Sequence, residues 1–111
     1  MNTTTVGSLF FFLKEGVSWE KILEKMKISH DDGPVFVNMI PVGGKKFPVI
    51  SFFDMGVGFF GGESGRLVLV VNLISSDYEE GLTEKIRRLL ADFLADSNPE
   101  KRENAYSFYS L

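Results

Sequence analysis

The sequence predicts a small two-layer α+β fold: an antiparallel sheet of three to four strands, flanked by an N-terminal helix and a long C-terminal helix plus a short terminal helix. Two observations predict this class. Three runs rich in Val, Ile and Phe are joined by short connections containing glycine, and two other segments have the apolar spacing of amphipathic helices. The 111 residues, 44% of them hydrophobic, are enough for one sizeable core. We therefore expect one domain over residues 1–111.

The first helix is predicted from Trp19 to Ile28. Ser18 precedes it as an N-cap, and Val17 before the cap is placed to contact Ile22 in the first helical turns. The apolar residues of this segment recur on one side, with Glu and Lys residues outside them. A helix with this pattern needs a surface to pack against.

Strands are predicted at 35–42, 46–53 and 66–74. The first two are separated by the glycine pair 43–44, which is typical of a hairpin. The third run is apolar at both alternating sets of positions, which indicates a central strand covered on both faces. A short extra strand is expected at about 57–60. Connections this short leave no room for crossover helices, so we expect antiparallel neighbours.

The long helix is predicted from 78 to 95. Ser76 with Glu79, or Asp77 with Glu80, forms a capping-box pattern ahead of it. Its apolar residues recur at spacings of four, three and four; they are Leu82, Ile86, Leu89 and Phe93. A short terminal helix is expected to follow, with Asn98 as its cap and Pro99 at its first position.

The run Gly56-Val57-Gly58-Phe59-Phe60-Gly61 matches the dinucleotide-binding pattern G-x-G-x-x-G. In that motif the turn leads into a helix whose amide groups face the pyrophosphate, whereas here a predicted strand follows. The protein-kinase version needs a lysine on the next strand, and no lysine occurs between Lys46 and Lys85. We expect a flexible hairpin or bulge, and no cofactor.

Few side chains are available for catalysis or for binding a metal. The chain has no cysteine, and His30 is its single histidine. His30 lies beside Asp31 and Asp32 at a predicted turn, where solvated polar residues are common, so we expect no metal site and no catalytic residue. Asp54 and Glu63 flank the glycine-rich run, and their meeting as an acid pair stays open as an alternative.

The bulk composition excludes several classes of partner. A net charge of -3 provides no basic field for a nucleic acid. No run approaches the ~20 apolar residues of a membrane span, and the N-terminal apolar run lacks the basic flank of a signal peptide. We expect a cytoplasmic protein that binds neither nucleic acid nor membrane.

Six residues are predicted to contact a protein partner, and most of them are aromatic. Phe59 and Phe60, with Glu63 nearby, either fold back on the core or stand exposed as a contact surface. The aromatic residues near the C-terminus either dock on the domain or wait for a partner; they are Tyr106, Phe108 and Tyr109.

The segment GRLVLVVNLISSDYEEGLTEKIRRLLADFL resembles, in its apolar patterning, the closing strand, turn and helix of roadblock and longin type modules. These are small α/β domains that dimerise and hold GTPases or trafficking partners. The resemblance covers about a quarter of the chain, and the mid-chain helix of those modules has no counterpart here. It implies a role in protein binding.

Together these observations predict a non-catalytic protein-interaction module of the inhibitor, immunity, adaptor or viral anti-defence type, acting through an apolar or aromatic surface. The alternative is a small-ligand-binding protein or a carboxylate-dependent enzyme with an aromatic-lined pocket. The strands are apolar on both faces, yet only one long amphipathic helix is predicted to cover them. We therefore expect a protein partner, a homodimer, or both.

Overall fold

The structure is a computed structural model that describes residues 7–28 and 36–104, without the side chains of residues 27, 28 and 36. Its strands form a six-stranded antiparallel sheet in the order β2-β3-β4-β5-β1-β6. The elements in chain order are β1 (Ser8–Phe12), α1 (Trp19–Ile28), β2 (Phe36–Val42), β3 (Lys45–Phe52), β4 (Gly56–Glu63), β5 (Arg66–Leu73), α2 (Glu79–Leu89) and β6 (Glu100–Arg102).

The predicted fold class is wrong in its strand number and in its helices. The sheet has six strands rather than three or four, because the N-terminal apolar run and residues 100–102 both join it. The described residues contain two helices, of which the second ends at Leu89 rather than at residue 95. Where the short terminal helix was expected after Asn98, the chain forms β6.

Strand β1 lies inside the sheet, between β5 and β6. Its residues alternate between the two faces, with Leu9 and Phe11 on one and Phe10 on the other, and all three are at most 1% exposed. A strand covered on both faces carries apolar residues at successive positions, so residues 9–12 form a short continuous apolar run. The N-terminal run is therefore a central strand rather than a cover for the sheet.

Hydrogen bonds to β1 explain the early end of α2. The Lys14 N–H donates to the carbonyl oxygen of Phe93 at 2.8 Å, and the Ala95 N–H donates to the carbonyl oxygen of Phe12 at 2.9 Å. Residues 93–95 thus pair with the end of β1, and the Phe93 carbonyl and the Ala95 N–H bond to that strand end instead of within a helix. At the other end, the Ser75 hydroxyl accepts from the Asp77 N–H at 3.3 Å, so neither predicted capping box is the cap that forms.

The first face of the sheet, which carries Leu9 and Phe11, holds the main core. Both helices pack on it, and Ser18 caps α1 as predicted, its hydroxyl accepting from the Lys21 N–H at 3.4 Å. The buried helical residues on this face are Ile22, Leu23, Met26, Leu82, Ile86 and Leu89.

The second face carries a smaller apolar cluster made of Phe10, Phe59, Val68 and Val70. None of these side chains is more than 4% exposed. The guanidinium carbon of Arg102 lies 3.8 Å from the centre of the Phe10 ring. The expectation of a second chain rested on this face being uncovered, and that premise does not hold for the cluster.

The hairpin of β2 and β3 extends beyond the rest of the sheet. Its turn is Gly43-Gly44, with φ of 57° and 81°, the geometry of a two-residue type I′ turn. Strand β3 pairs with β4 only from Val49 to Phe52. Residues 39–48, which we call the arm, therefore form a two-stranded ribbon, and Pro48, which has no N–H, stands where the pairing with β4 stops.

Candidate functional site

The glycine-rich run is a strand, β4, and packing explains two of its glycines, Gly56 and Gly58. A Cβ atom on Gly56 would lie 2.7 Å from the backbone oxygen of Asn72, and one on Gly58 would lie 2.9 Å from the ring of Phe52. The strand leads into β5 through the turn Ser64-Gly65. No helix follows the motif, so its amide groups belong to a sheet ladder and not to a phosphate site.

The structure separates the predicted contact residues. Phe59 lies on the second face and is 4% exposed, whereas Phe60 lies on the first face and is 7% exposed. The Phe60 ring stacks against that of Trp19, with 6.4 Å between ring centres. Glu63 lies at the end of β4. Tyr106, Phe108 and Tyr109 fall outside the described residues.

Glu63 and Arg102 form an ion pair across the second face, with 2.5 Å between Oε1 and Nη2. Arg102 also donates from Nε to Glu100 at 3.1 Å, while its guanidinium lies over Phe10. The other carboxylate oxygen of Glu63 is buried, with no hydrogen-bond partner in the structure as described. The pair ties β6, at one edge, to β4 in the sheet interior, so this arrangement has a structural role.

One chemical alternative, the acid pair of Asp54 and Glu63, lacks the necessary geometry. Asp54 lies in the turn before β4 and Glu63 at the end of that strand, so eight residues at about 3.3 Å each place them roughly 25 Å apart. They do not form an acid pair. Within the described ranges, no three His, Asp or Glu side chains are grouped to hold a metal ion. His30, Asp31 and Asp32 lie outside those ranges.

A shallow groove of about 390 Å³ lies beside the stacked pair Trp19 and Phe60. Its lining also includes Gly62 and Gly65, which have no side chains, and Arg66. Its walls are aromatic, as the alternative prediction of a ligand pocket requires. Its polar lining is sparse, and small-ligand sites generally have several convergent polar groups.

Exposed apolar residues collect at the end of the sheet where the β3–β4 turn meets the connection from β5 to α2. The Ile74 N–H donates to the Met55 carbonyl oxygen at 3.1 Å, which joins the two connections. We call this surface the turn patch. Its members, with their exposed fractions, are Phe53 (56%), Ile74 (48%), Val57 (38%) and Tyr78 (38%).

Phe53 has the most unusual backbone of the patch. Its φ is 52°, in the left-handed region that bulky residues avoid. The Nζ atom of Lys85, on α2, lies 4.8 Å from the centre of its ring. Phe53 is not among the residues that the sequence predicts to contact a partner. The available signal was the doublet Phe52-Phe53 where a predicted strand meets a glycine-rich segment, since Phe52 is fully buried as the last residue of β3 and Phe53 begins the turn.

Comparisons with known proteins assign no family. No family model matches the chain, and neither does any curated protein or solved structure. In the part of the chain that the structure describes, no helix has the length and apolar character needed to cross a membrane.

Proposed function

We propose that this chain is a non-catalytic protein-interaction module, of the inhibitor or adaptor type, that binds a protein partner through the turn patch. The observation that carries the proposal is Phe53, a large aromatic side chain more than half exposed on a left-handed backbone. Neither property is explained by the packing of the domain. Both are expected of a side chain that is presented to a partner.

The energetics of Phe53 favour this interpretation. A left-handed backbone costs a residue other than glycine about 1–2 kcal/mol. The contact between Lys85 and the ring returns about 0.5–1 kcal/mol at an exposed site. The contact with Lys85 does not offset the backbone cost of Phe53, and an Asn, which tolerates this backbone, would relieve that cost.

The composition of the patch indicates the kind of surface that it fits. Aromatic residues are enriched among the residues that dominate binding energy, and they act by filling a pocket that excludes water. Ile74 and Val57 add exposed aliphatic side chains at the same end of the sheet, and Tyr78 adds a ring with a polar end. The partner surface should be an apolar pocket that receives the Phe53 ring.

The test compares Phe53→Asn with the wild-type chain. Tagged chains serve as baits in extracts of the producing cells, and captured proteins are quantified by mass spectrometry and then measured as purified pairs. We expect at least one partner whose affinity falls about thirtyfold or more in Phe53→Asn, since removal of a central aromatic anchor costs about 2 kcal/mol or more. The unfolding free energy should stay within about 1 kcal/mol of wild type.

Lys25→Asn is the matched control, because it places the same new side chain at an exposed position of α1, outside the turn patch. This variant should retain the partner. Capture of the same proteins in the same amounts by wild type and Phe53→Asn would refute the role of the patch. A loss of stability well above 1 kcal/mol in Phe53→Asn would show that the residue is structural.

A second candidate function is the binding of a small apolar ligand in the groove beside Trp19, where the stacked rings favour an aromatic compound. Trp19 is the single tryptophan, so its fluorescence reports directly on this groove. A ligand should change the emission saturably, and Gly62→Val, which adds a side chain to the groove lining, should abolish the change. Emission that stays constant with a panel of aromatic ligands would exclude this function.

A further inference from the structure

The two edges of the described sheet differ sharply in length and charge. One edge is β6, which has three residues, all of them charged: Glu100, Lys101 and Arg102. Lys101 and Arg102 each form an ion pair with another element. Short, charged edge strands are a common protection against pairing with another sheet.

The other edge is β2, which has none of these protections over most of its length. It has seven residues without a charge, FVNMIPV, and its described ladder is with β3 alone. Met39 and Ile40 are 43% and 39% exposed, and as neighbours in a strand they point to opposite faces. An exposed, uncharged apolar edge is a template for a further strand.

We propose that this edge pairs with the same edge of a second copy of the chain, antiparallel and about a two-fold axis, to give a continuous sheet of twelve strands. Pairing with itself places no like charges opposite each other, because β2 carries none. A two-fold axis also makes every contact occur twice, which is the usual form of a dimer interface.

The symmetry restricts the register of the two strands. A two-fold axis perpendicular to the sheet keeps the same face of both copies on one side. Residues that lie opposite each other in antiparallel strands also point to the same face. The axis must therefore pass between the two copies of a single residue, and the register is centred on that residue. Centring on Asn38 places Asn38 opposite Asn38 and Val37 opposite Met39 of the second copy. Centring on Met39 would place the Asn38 amide opposite Ile40. We favour the register centred on Asn38, because it places the two amide side chains together and the apolar Val37 beside the apolar Met39. It also leaves Pro41, which has no N–H, near the end of the paired segment.

The register can be tested with single thiols, because the chain has no cysteine. Residues opposite each other in antiparallel strands have Cα atoms about 4.5–5.5 Å apart, within reach of a disulfide. Under mild oxidation Asn38→Cys should therefore give a covalent dimer. Ile40→Cys is the matched control, because its two thiols would lie four positions apart, roughly 13 Å, and should not be joined.

Self-association is measured by sedimentation velocity over a hundredfold dilution. Wild type should change from dimer to monomer on dilution, and Met39→Lys should weaken the association at least tenfold. Ile74→Lys, on the turn patch, should leave it unchanged. Both lysine variants are at exposed positions, and circular dichroism checks that each is folded.

The outcomes separate this interface from other possibilities. A wild-type chain that stays monomeric at all concentrations would overturn the proposal. So would a dimer that Met39→Lys leaves intact, or equal cross-linking of Asn38→Cys and Ile40→Cys. Loss of partner capture in Phe53→Asn with self-association retained would show that the turn patch and this edge act independently.

Discussion

At the level of single residues, β4 carries glycines that the fold requires and one that it does not. Gly56 leaves no room for a side chain, because an added Cβ would meet a backbone oxygen of β5 at 2.7 Å and Leu82 of α2 at 3.1 Å. Gly62 is different, since the nearest atom to its added Cβ would lie 3.9 Å away. Within one glycine-rich run, Gly56 therefore allows β4 to approach β5 and α2 closely, whereas Gly62 is open to solvent.

This difference gives a prediction with its own control. Gly56→Ala should lower the free energy of unfolding by about 1–3 kcal/mol, the usual cost of overpacking a core. Gly62→Ala should change it by no more than about 0.5 kcal/mol, and any change should favour stability, since glycine weakens a strand. Urea denaturation of the two variants measures both values. Equal effects would show that the packing around Gly56 is looser than the structure indicates.

At the level of elements, the sequence predicted those whose signal is local. The runs 35–42 and 46–53 and the helix from Trp19 correspond closely to β2, β3 and α1. The missed elements depend on distant partners. The short apolar run of β1 could be a strand or a buried helical segment, and only its pairing with β5 and β6 decides between them. The three charged residues of β6 have no strand signal of their own and form a strand only beside β1. The end of α2 is likewise set by hydrogen bonds to residues 12–14.

The same dependence limited what could be predicted of the candidate site. The apolar character of a contact surface follows from composition, but which phenylalanines are exposed depends on strand register. Phe59 and Phe60 are adjacent in sequence and are buried on opposite faces, while Phe53 is exposed because the turn takes it out of the β3 alternation. Glu63 is predicted to contact a partner because it lies beside the glycines. Its actual ion-pair partner, Arg102, is 39 residues away in sequence, so local sequence does not reveal the pair.

The Glu63–Arg102 pair should couple β4 to β6 energetically. Both side chains are less than a third exposed, at 30% and 23%, whereas the Glu84–Arg87 pair on α2 is 54% and 36% exposed. A double-mutant cycle with Glu63→Gln and Arg102→Met should give a coupling energy of about 1 kcal/mol or more. The cycle with Glu84→Gln and Arg87→Met should give about 0.3–0.5 kcal/mol. A coupling for Glu63–Arg102 no larger than that of the helix pair would show that β6 is held by its backbone ladder alone.

At the level of the whole molecule, strand pairing and burial are concentrated at the centre of the sheet and are weakest in the arm. Strand β5 pairs with β4 and β1, and its residues 68–71 are fully buried. The arm, residues 39–48, is paired only within its own hairpin. Both proposed contact surfaces lie outside the main core, the turn patch at one end of the sheet and the β2 edge along one side. This placement allows each surface to be altered with little effect on folding.

Hydrogen exchange tests this distribution. The amides of residues 69–71 should exchange only through global unfolding, and their exchange should accelerate strongly with added denaturant. The amides of the arm should exchange through local opening, at least about a thousandfold faster and almost independently of denaturant, because opening a two-stranded ribbon exposes little apolar surface. Arm amides that share the rate and denaturant dependence of β5 would show that the arm belongs to the cooperative core. If two copies pair along β2, protection of Val37 and Met39 should also rise with protein concentration while that of residues 69–71 stays constant. The N–H groups of successive strand residues point to opposite sides, so these two gain partners at the edge, whereas the Asn38 N–H faces β3 and the interior of each chain stays as it was.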